Sequence, residues 1–205
     1  MIKVFFGGSR AASKLNKDVK LRIDNVIENN YSILIGDANG ADKAVQNYLF
    51  EKNYKNVIVY CMERQCRNNI GLWEVKHVNA PSGKTGFDYY SVKDIEMAKE
   101  ADYGFMIWDA KSKGTLNNVI NLLKSKKKSL LYFYPDKQFY VISTLLHLKY
   151  LLSKCSKEDI KGFEKNLNLP KILNTADYKQ PAFEFPIEDA ARFENSKAPE
   201  ELKAF

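Results

Sequence analysis

An α/β fold, a Rossmann-like doubly wound and mainly parallel sheet, is predicted by three features of this sequence. Short apolar runs recur at residues 2–6, 32–35, 56–61, 103–108 and 129–134. They are continuous rather than alternating, the pattern of strands covered on both faces. Segments of helical periodicity separate them over about 130 residues, which implies βαβ crossovers and a sheet of at least about five strands.

The first run stops at Gly7-Gly8-Ser9-Arg10. Small residues there let the backbone approach a ligand, Ser9 offers a hydroxyl, and Arg10 offers a fork for phosphate or carboxylate. A helix follows from Ser13 or Asn16 to Asn29, with Val19, Ile23, Val26 and Ile27 on one face. The second run ends in Gly36-Asp37-Ala38-Asn39-Gly40-Ala41-Asp42, and the amphipathic residues 44–50 come next. Strand, tight turn and helix in this order aim helix N-terminal N–H groups beyond the strand end, which suits an anion. The same turn also serves as a plain connector. The third strand is residues 56–61.

Regularity lapses over residues 62–90, longer than an ordinary connection, which marks a functional loop or lid. The segment holds Arg64, Arg67, Trp73, His77 and the cluster Ser82-Gly83-Lys84-Thr85-Gly86. A P-loop needs a glycine where Val78 stands and a preceding strand, so this cluster is not one. Trp73 and the basic residues suit a nucleobase or nucleic acid, or they pack the loop down. A short helix is expected over 94–101, with Ser91 as N-cap and Asp94 three positions on.

The fourth strand leads into a second informative loop, Asp109-Ala110-Lys111-Ser112-Lys113-Gly114-Thr115, with Leu116, Val119, Ile120 and Leu123 spacing the helix behind it. The fifth strand ends near Pro135, where the pattern changes. A further strand over 139–142, a buried helix over 145–152 and a charged helix over 157–167 capped by Ser156 are expected. An arm with a short helix over 187–193 follows, its aromatics Tyr178, Phe183, Phe185 and Phe193 packing on the body or on a second subunit. The chain thus divides into a nucleotide-binding domain, 1–134, and C-terminal helices with an arm, 135–205.

The 205 residues are 45% hydrophobic and 13% aromatic without a low-complexity tract, a globular composition. A net charge of +7 and a pI near 9.1 leave room for a polyanion but report solubility first. Much of the excess is Lys124, Lys126, Lys127 and Lys128, either a solvated helix end or a nucleic-acid patch. Cys61, Cys66 and Cys155 are an odd number without framework spacing and point to reduced thiols; with only His77 and His147 beside them, no metal site is expected. The first apolar run is too short for a signal peptide, and no segment reaches the ~20 apolar residues of a membrane span. A cytoplasmic protein without membrane contact is expected.

In the doubly wound order 3-2-1-4-5, the first strand is central, and the Gly7, Gly36 and Asp109 loops meet at the crevice where the order reverses. The dinucleotide fingerprint G-x-G-x-x-G is absent, which removes support for ordinary NAD-dependent hydride transfer. Together Phe6-Gly7-Gly8-Ser9-Arg10, the stretch Ile35 to Asp42 and the stretch Ile107 to Thr115 resemble the SLOG superfamily, Rossmann-like domains that include the LOG phosphoribohydrolases and the DNA-processing protein A fold. The likeness is strongest to a small bacterial branch with a G-S-R start and a G-x-x-x-G-A-D loop, and covers about 1–134.

The resemblance implies a pocket for a nucleotide or a nucleotide-derived, NAD-derived or ADP-ribose-like ligand, with no cofactor required. Gly7, Gly8, Ser9 and Arg10 would line it. Gly36, Asp37, Ala38, Asn39 and Gly40 would cradle phosphate or ribose, and Asp42 would brace the turn or meet a ribose hydroxyl. Gly114 and Thr115, with Asp109 and Ser112, would hold phosphate. Trp108 would stack on a base or belong to the core, and Lys93 and Asp94 are further candidates. LOG-type hydrolases and related deoxyribosyltransferases carry a glutamate shortly after G-T, whereas Leu116-Asn117-Asn118-Val119 follow Thr115 here. An amide serves neither as general base nor as carboxylate nucleophile. Either another acid, Asp37, Asp109 or Glu96, has taken over, or the domain binds without cleaving, as a sensor or regulator. Binding is the expectation, N-glycosidic hydrolysis or transfer the alternative and nucleic-acid binding the third reading, with a homodimer or other homo-oligomer compatible with each.

Overall fold

Seven strands, β1 (Lys3–Gly8), β2 (Ser32–Gly36), β3 (Val57–Met62), β4 (Glu74–Val78), β5 (Tyr103–Trp108), β6 (Ser129–Phe133) and β7 (Gln138–Ile142), form one sheet in the computed structural model, which describes residues 1–63 and 65–173. Their order is β4-β3-β2-β1-β5-β6-β7. All neighbours are parallel except β6 and β7, which are antiparallel. The first strand is central, flanked by β2 and β5, so the switch point lies at the carboxyl end of β1.

Two cores explain the continuous apolar runs. Val4 and Phe6 face one side of β1, where α1 (Lys17–Glu28) supplies Val19, Ile23 and Val26 and α2 (Ala41–Glu51) supplies Val45 and Leu49. Phe5 faces the other side, toward Met97 of α3 (Gly86–Glu100) and Leu116 and Val119 of α4 (Lys113–Lys124). Both faces of the strand are therefore dry, and each buried Phe there is worth about 1.5–3 kcal/mol relative to exposure. The second core continues under α5 (Leu145–Ser153), α6 (Lys157–Leu167) and α7 (Leu169–Leu173) through Leu148, Leu151, Phe163 and Leu169.

Local signals set the helix starts. Asn16 accepts from the Val19 N–H, Ser112 from Thr115, Thr144 from His147 and Ser156 from Asp159, each satisfying an otherwise orphaned donor. Lys127 Nζ donates to the carbonyls of Ala98 and Lys99 at the end of α3, so one member of the lysine cluster is a helix C-terminal partner.

Three expectations are corrected. Residues 62–90 are not irregular throughout: β4 adds a parallel edge strand, and α3 begins at Gly86 rather than near residue 94, with Thr85 at its N-cap position. Ser91 is thus inside the helix, its hydroxyl donating to the Asp88 carbonyl, and caps nothing. Cys61 and Cys66 are joined as a disulfide, against the expectation of reduced thiols, because the chain reverses after β3 and brings their Cα atoms to 5.1 Å. Trp73 packs the segment down: it is buried, and its indole N–H donates to the Tyr54 carbonyl at 2.8 Å. Arg64 and the expected arm aromatics and 187–193 helix lie outside the described residues. Among the described residues, no helix is long and apolar enough to cross a membrane.

Candidate functional site

The carboxyl ends of β1, β2 and β5 open into one cleft of about 100 Å³ that is partly open to solvent. Gly7, Gly8 and Arg10 come from the β1 turn, Gly36, Ala38 and Asp42 from the β2 turn, and Ser112, Gly114 and Thr115 from the β5 turn. The sheet order brings these segments of distant sequence together. A fourth wall is one face of α3: Phe87, Tyr90, Ser91, Asp94 and Met97 recur at helical spacing and all line the cleft, with Lys93 beside them.

The β2 turn is held shut by its own polar groups. Asp37, almost fully buried, takes the Arg67 guanidinium on both oxygens, at 2.6 and 3.0 Å, and also accepts the Arg67 backbone N–H at 3.1 Å. Burial opposes ionisation of Asp37, but these contacts and the charge of Lys93 outweigh it and hold the carboxyl below its usual range. Asn68 Nδ2 donates to the Asp37 carbonyl at 2.7 Å and to Asn39 Oδ1 at 3.1 Å. Gln46, buried on α2, donates to the Gly36 carbonyl and accepts the Ile70 N–H. Gly40 sits at φ +85°, where a side chain would collide with the Arg10 backbone.

On the cleft floor, Lys93 Nζ pairs with Asp94 at 2.7 Å, its side chain only 4% exposed. Asp42 accepts the Ala38 N–H at 3.2 Å, and a Cβ at Gly36 would come within 2.5 Å of Asp42 and 2.8 Å of Lys93 Nζ, so glycine is what lets these groups close over the strand end. Burial pushes the Asp42 carboxyl up to about 7, against the pull of Lys93, with Asp94 and Asp37 adding to the rise. For Lys93, burial works against the charged form, yet Asp94, Asp42 and Asp37 together raise its pKa. Arg10, Arg67 and Lys93 thus stand against Asp37, Asp42 and Asp94, and the balance at neutral pH turns on Asp42.

The β5 turn is an Asx-type turn. Asp109 Oδ1 accepts the Lys111 and Ser112 N–H groups at 2.9 and 2.8 Å and the Ser9 hydroxyl at 2.8 Å. Ser9 in turn accepts the Asp109 N–H. The two residues therefore tie the β1 and β5 turns to each other rather than line the cleft. Of the other sequence candidates, Trp108 is fully buried in the core, its indole donating to the Ser112 carbonyl, and Glu96 sits on the surface of α3 paired with Lys99. Asn39, exposed and accepting from Asn68, and Gly40, at its positive φ, shape the turn and are not among the lining residues.

Arg67, Phe87, Tyr90, Met97 and Asn118 are lining residues that sequence reasoning did not assign to the pocket. The i, i+3, i+7 spacing of Phe87, Tyr90 and Asp94 was the available signal for the α3 face. No family model matches the chain, and no curated protein matches it either.

Proposed function

We propose that this chain binds a nucleotide or nucleotide-derived ligand in the cleft and acts as a sensor or regulator. One observation carries the reading: at the switch point of the sheet, three β–α turns rich in small and polar residues converge on a cleft that also holds Arg10, Lys93 and two aromatic rings. Arg10 and the α4 start at Gly114 and Thr115 suit phosphate, and Phe87 and Tyr90 suit a base. Kinship with the SLOG superfamily belongs to this proposal and rests on the same three motifs. A thermal-shift panel of AMP, NAD, ADP-ribose and cyclic dinucleotides tests it. Stabilisation by at least one member is expected, and none by any would overturn the proposal.

A second reading, cleavage of an N-glycosidic bond, is favoured by Asp42, a buried cleft acid whose carboxyl is raised to about 7, the range of a general acid at neutral pH. Asp37 is committed to Arg67 and Asp109 to its turn, which leaves Asp42 and Asp94 as the acids facing the cleft. Release of free base from AMP or NAD, abolished in Asp42→Asn, supports it; intact substrate after long incubation excludes it.

A further inference from the structure

Asn118, on the second turn of α4, lines the cleft with only 6% of its surface exposed, and its Oδ1 receives no hydrogen bond from any described residue. A buried amide oxygen left in this state costs about 1–3 kcal/mol, so such groups are rare unless something else supplies the donor. The side chain stands over β1, its Nδ2 3.2 Å from where a Cβ at Gly7 would be. Asn118 and Gly7 line the same cleft. The same cleft is lined by Lys93, a donor, and by the carboxyl groups of Asp42 and Asp94.

We propose that Asn118 Oδ1 accepts a hydrogen bond from a pentose hydroxyl of the bound ligand, which makes Asn118 the residue that distinguishes ribose from deoxyribose. A hydroxyl donates one hydrogen bond and accepts others, and so fits a floor that mixes an orphaned acceptor with the Lys93 ammonium. A base has its own place at the rim, against Phe87 and Tyr90, and phosphate has Arg10 and the α4 start, so the sugar between them falls over Gly7. The inference rests on the nucleotide reading above and specifies which chemical group lies at the cleft floor.

The test is calorimetric titration of the full chain and of Asn118→Ala with AMP, 2′-deoxy-AMP and 3′-deoxy-AMP. The unmodified chain is expected to bind one of the two deoxy forms about tenfold more weakly than AMP. In Asn118→Ala, AMP is expected to weaken by a similar factor and that discrimination to disappear, while the melting temperature of the unliganded chain stays level or rises, because an unpaired acceptor has been removed. Asn118→Leu serves the same purpose should the alanine variant fold poorly. Full AMP affinity in the variant, or discrimination that persists without Asn118, overturns this inference and leaves nucleotide binding standing. Where another member of the thermal-shift panel binds and AMP does not, the deoxy forms of that nucleotide take its place. No binding by any panel member overturns the proposed function and this inference with it.

Discussion

The two walls of the cleft are built on opposite terms. On the β2 side, Asp37, Asn39, Gln46, Arg67 and Asn68 bond to one another or to the turn backbone, and the wall is complete as it stands. On the α3–α4 side, buried Lys93 is paired with half-buried Asp94, and Asn118 Oδ1 has no partner among the described residues. One wall holds geometry and the other holds unsettled polar groups. A preorganised frame facing an unsatisfied surface is what recognition needs, since the frame limits the ordering cost and the surface supplies the gain on binding.

The largest disruption is expected from Lys93→Met. It leaves Asp42 buried, and Asp94 half-buried, without their cation, and should cost about 3–5 kcal/mol in urea unfolding, with the loss growing as pH rises and Asp42 ionises. A loss below about 1 kcal/mol would show that this wall tolerates its charges without pairing. Next comes Gln46→Leu on the opposite wall, which strands the Gly36 carbonyl and the Ile70 N–H and should cost about 2–3 kcal/mol. If Gln46→Leu proved harmless, the β2 wall would not be the rigid frame.

Asp42 sharpens the contrast through pH. Its carboxyl rises from the ordinary 3.8 to about 7 on folding, so between those values the folded chain holds a proton that the unfolded chain has released. Stability from this group is therefore present below about pH 4 and lost as pH rises toward about 7. Asp37, lowered on folding, acts in the opposite sense and loses its contribution only as pH falls below its ordinary range. Between pH 5 and pH 8 the unmodified chain should lose on the order of 2–3 kcal/mol that Asp42→Asn does not lose. Equal slopes in the two chains would remove Asp42 from the account. The smallest effect on stability is expected from Arg10→Ala at the rim, within about 0.5 kcal/mol, while the retention of AMP falls and becomes less salt-dependent.

Much of the fold was legible because the apolar runs of a doubly wound sheet are long and continuous; α6 begins and ends at the residues its cap and periodicity indicate. The β4 strand was not, because an edge strand with Glu74, Lys76 and His77 largely exposed carries no apolar pattern. The first turns of α3 were hidden by Gly83, Lys84 and Gly86, which read as loop chemistry although Phe87 and Tyr90 already face the cleft. The three turns of the cleft were visible as motifs. Arg67 was visible only as a basic residue, since its partner Asp37 lies thirty positions away and the pairing depends on how the chain returns after β3. Asn118 could be noticed as an amide where a carboxylate was expected, but its burial without a partner is a property of the packed helix and not of the motif.

The Cys61–Cys66 bridge gives the protein a simple chemical signature. With these two sulfurs joined, Cys155 is the remaining thiol, half-buried and pushed up to about 12 by burial, with the nearby Asp159 and Asp136 adding to the rise. Alkylating reagents consume accessible thiolate, so the bridged chain should stay almost unlabelled at neutral pH, and prior reduction should add label first at the half-buried Cys66, with Cys61, buried in β3, following more slowly. Mass spectrometry after brief iodoacetamide treatment thus reads the oxidation state of the segment leading into Arg67, one residue from the cleft wall.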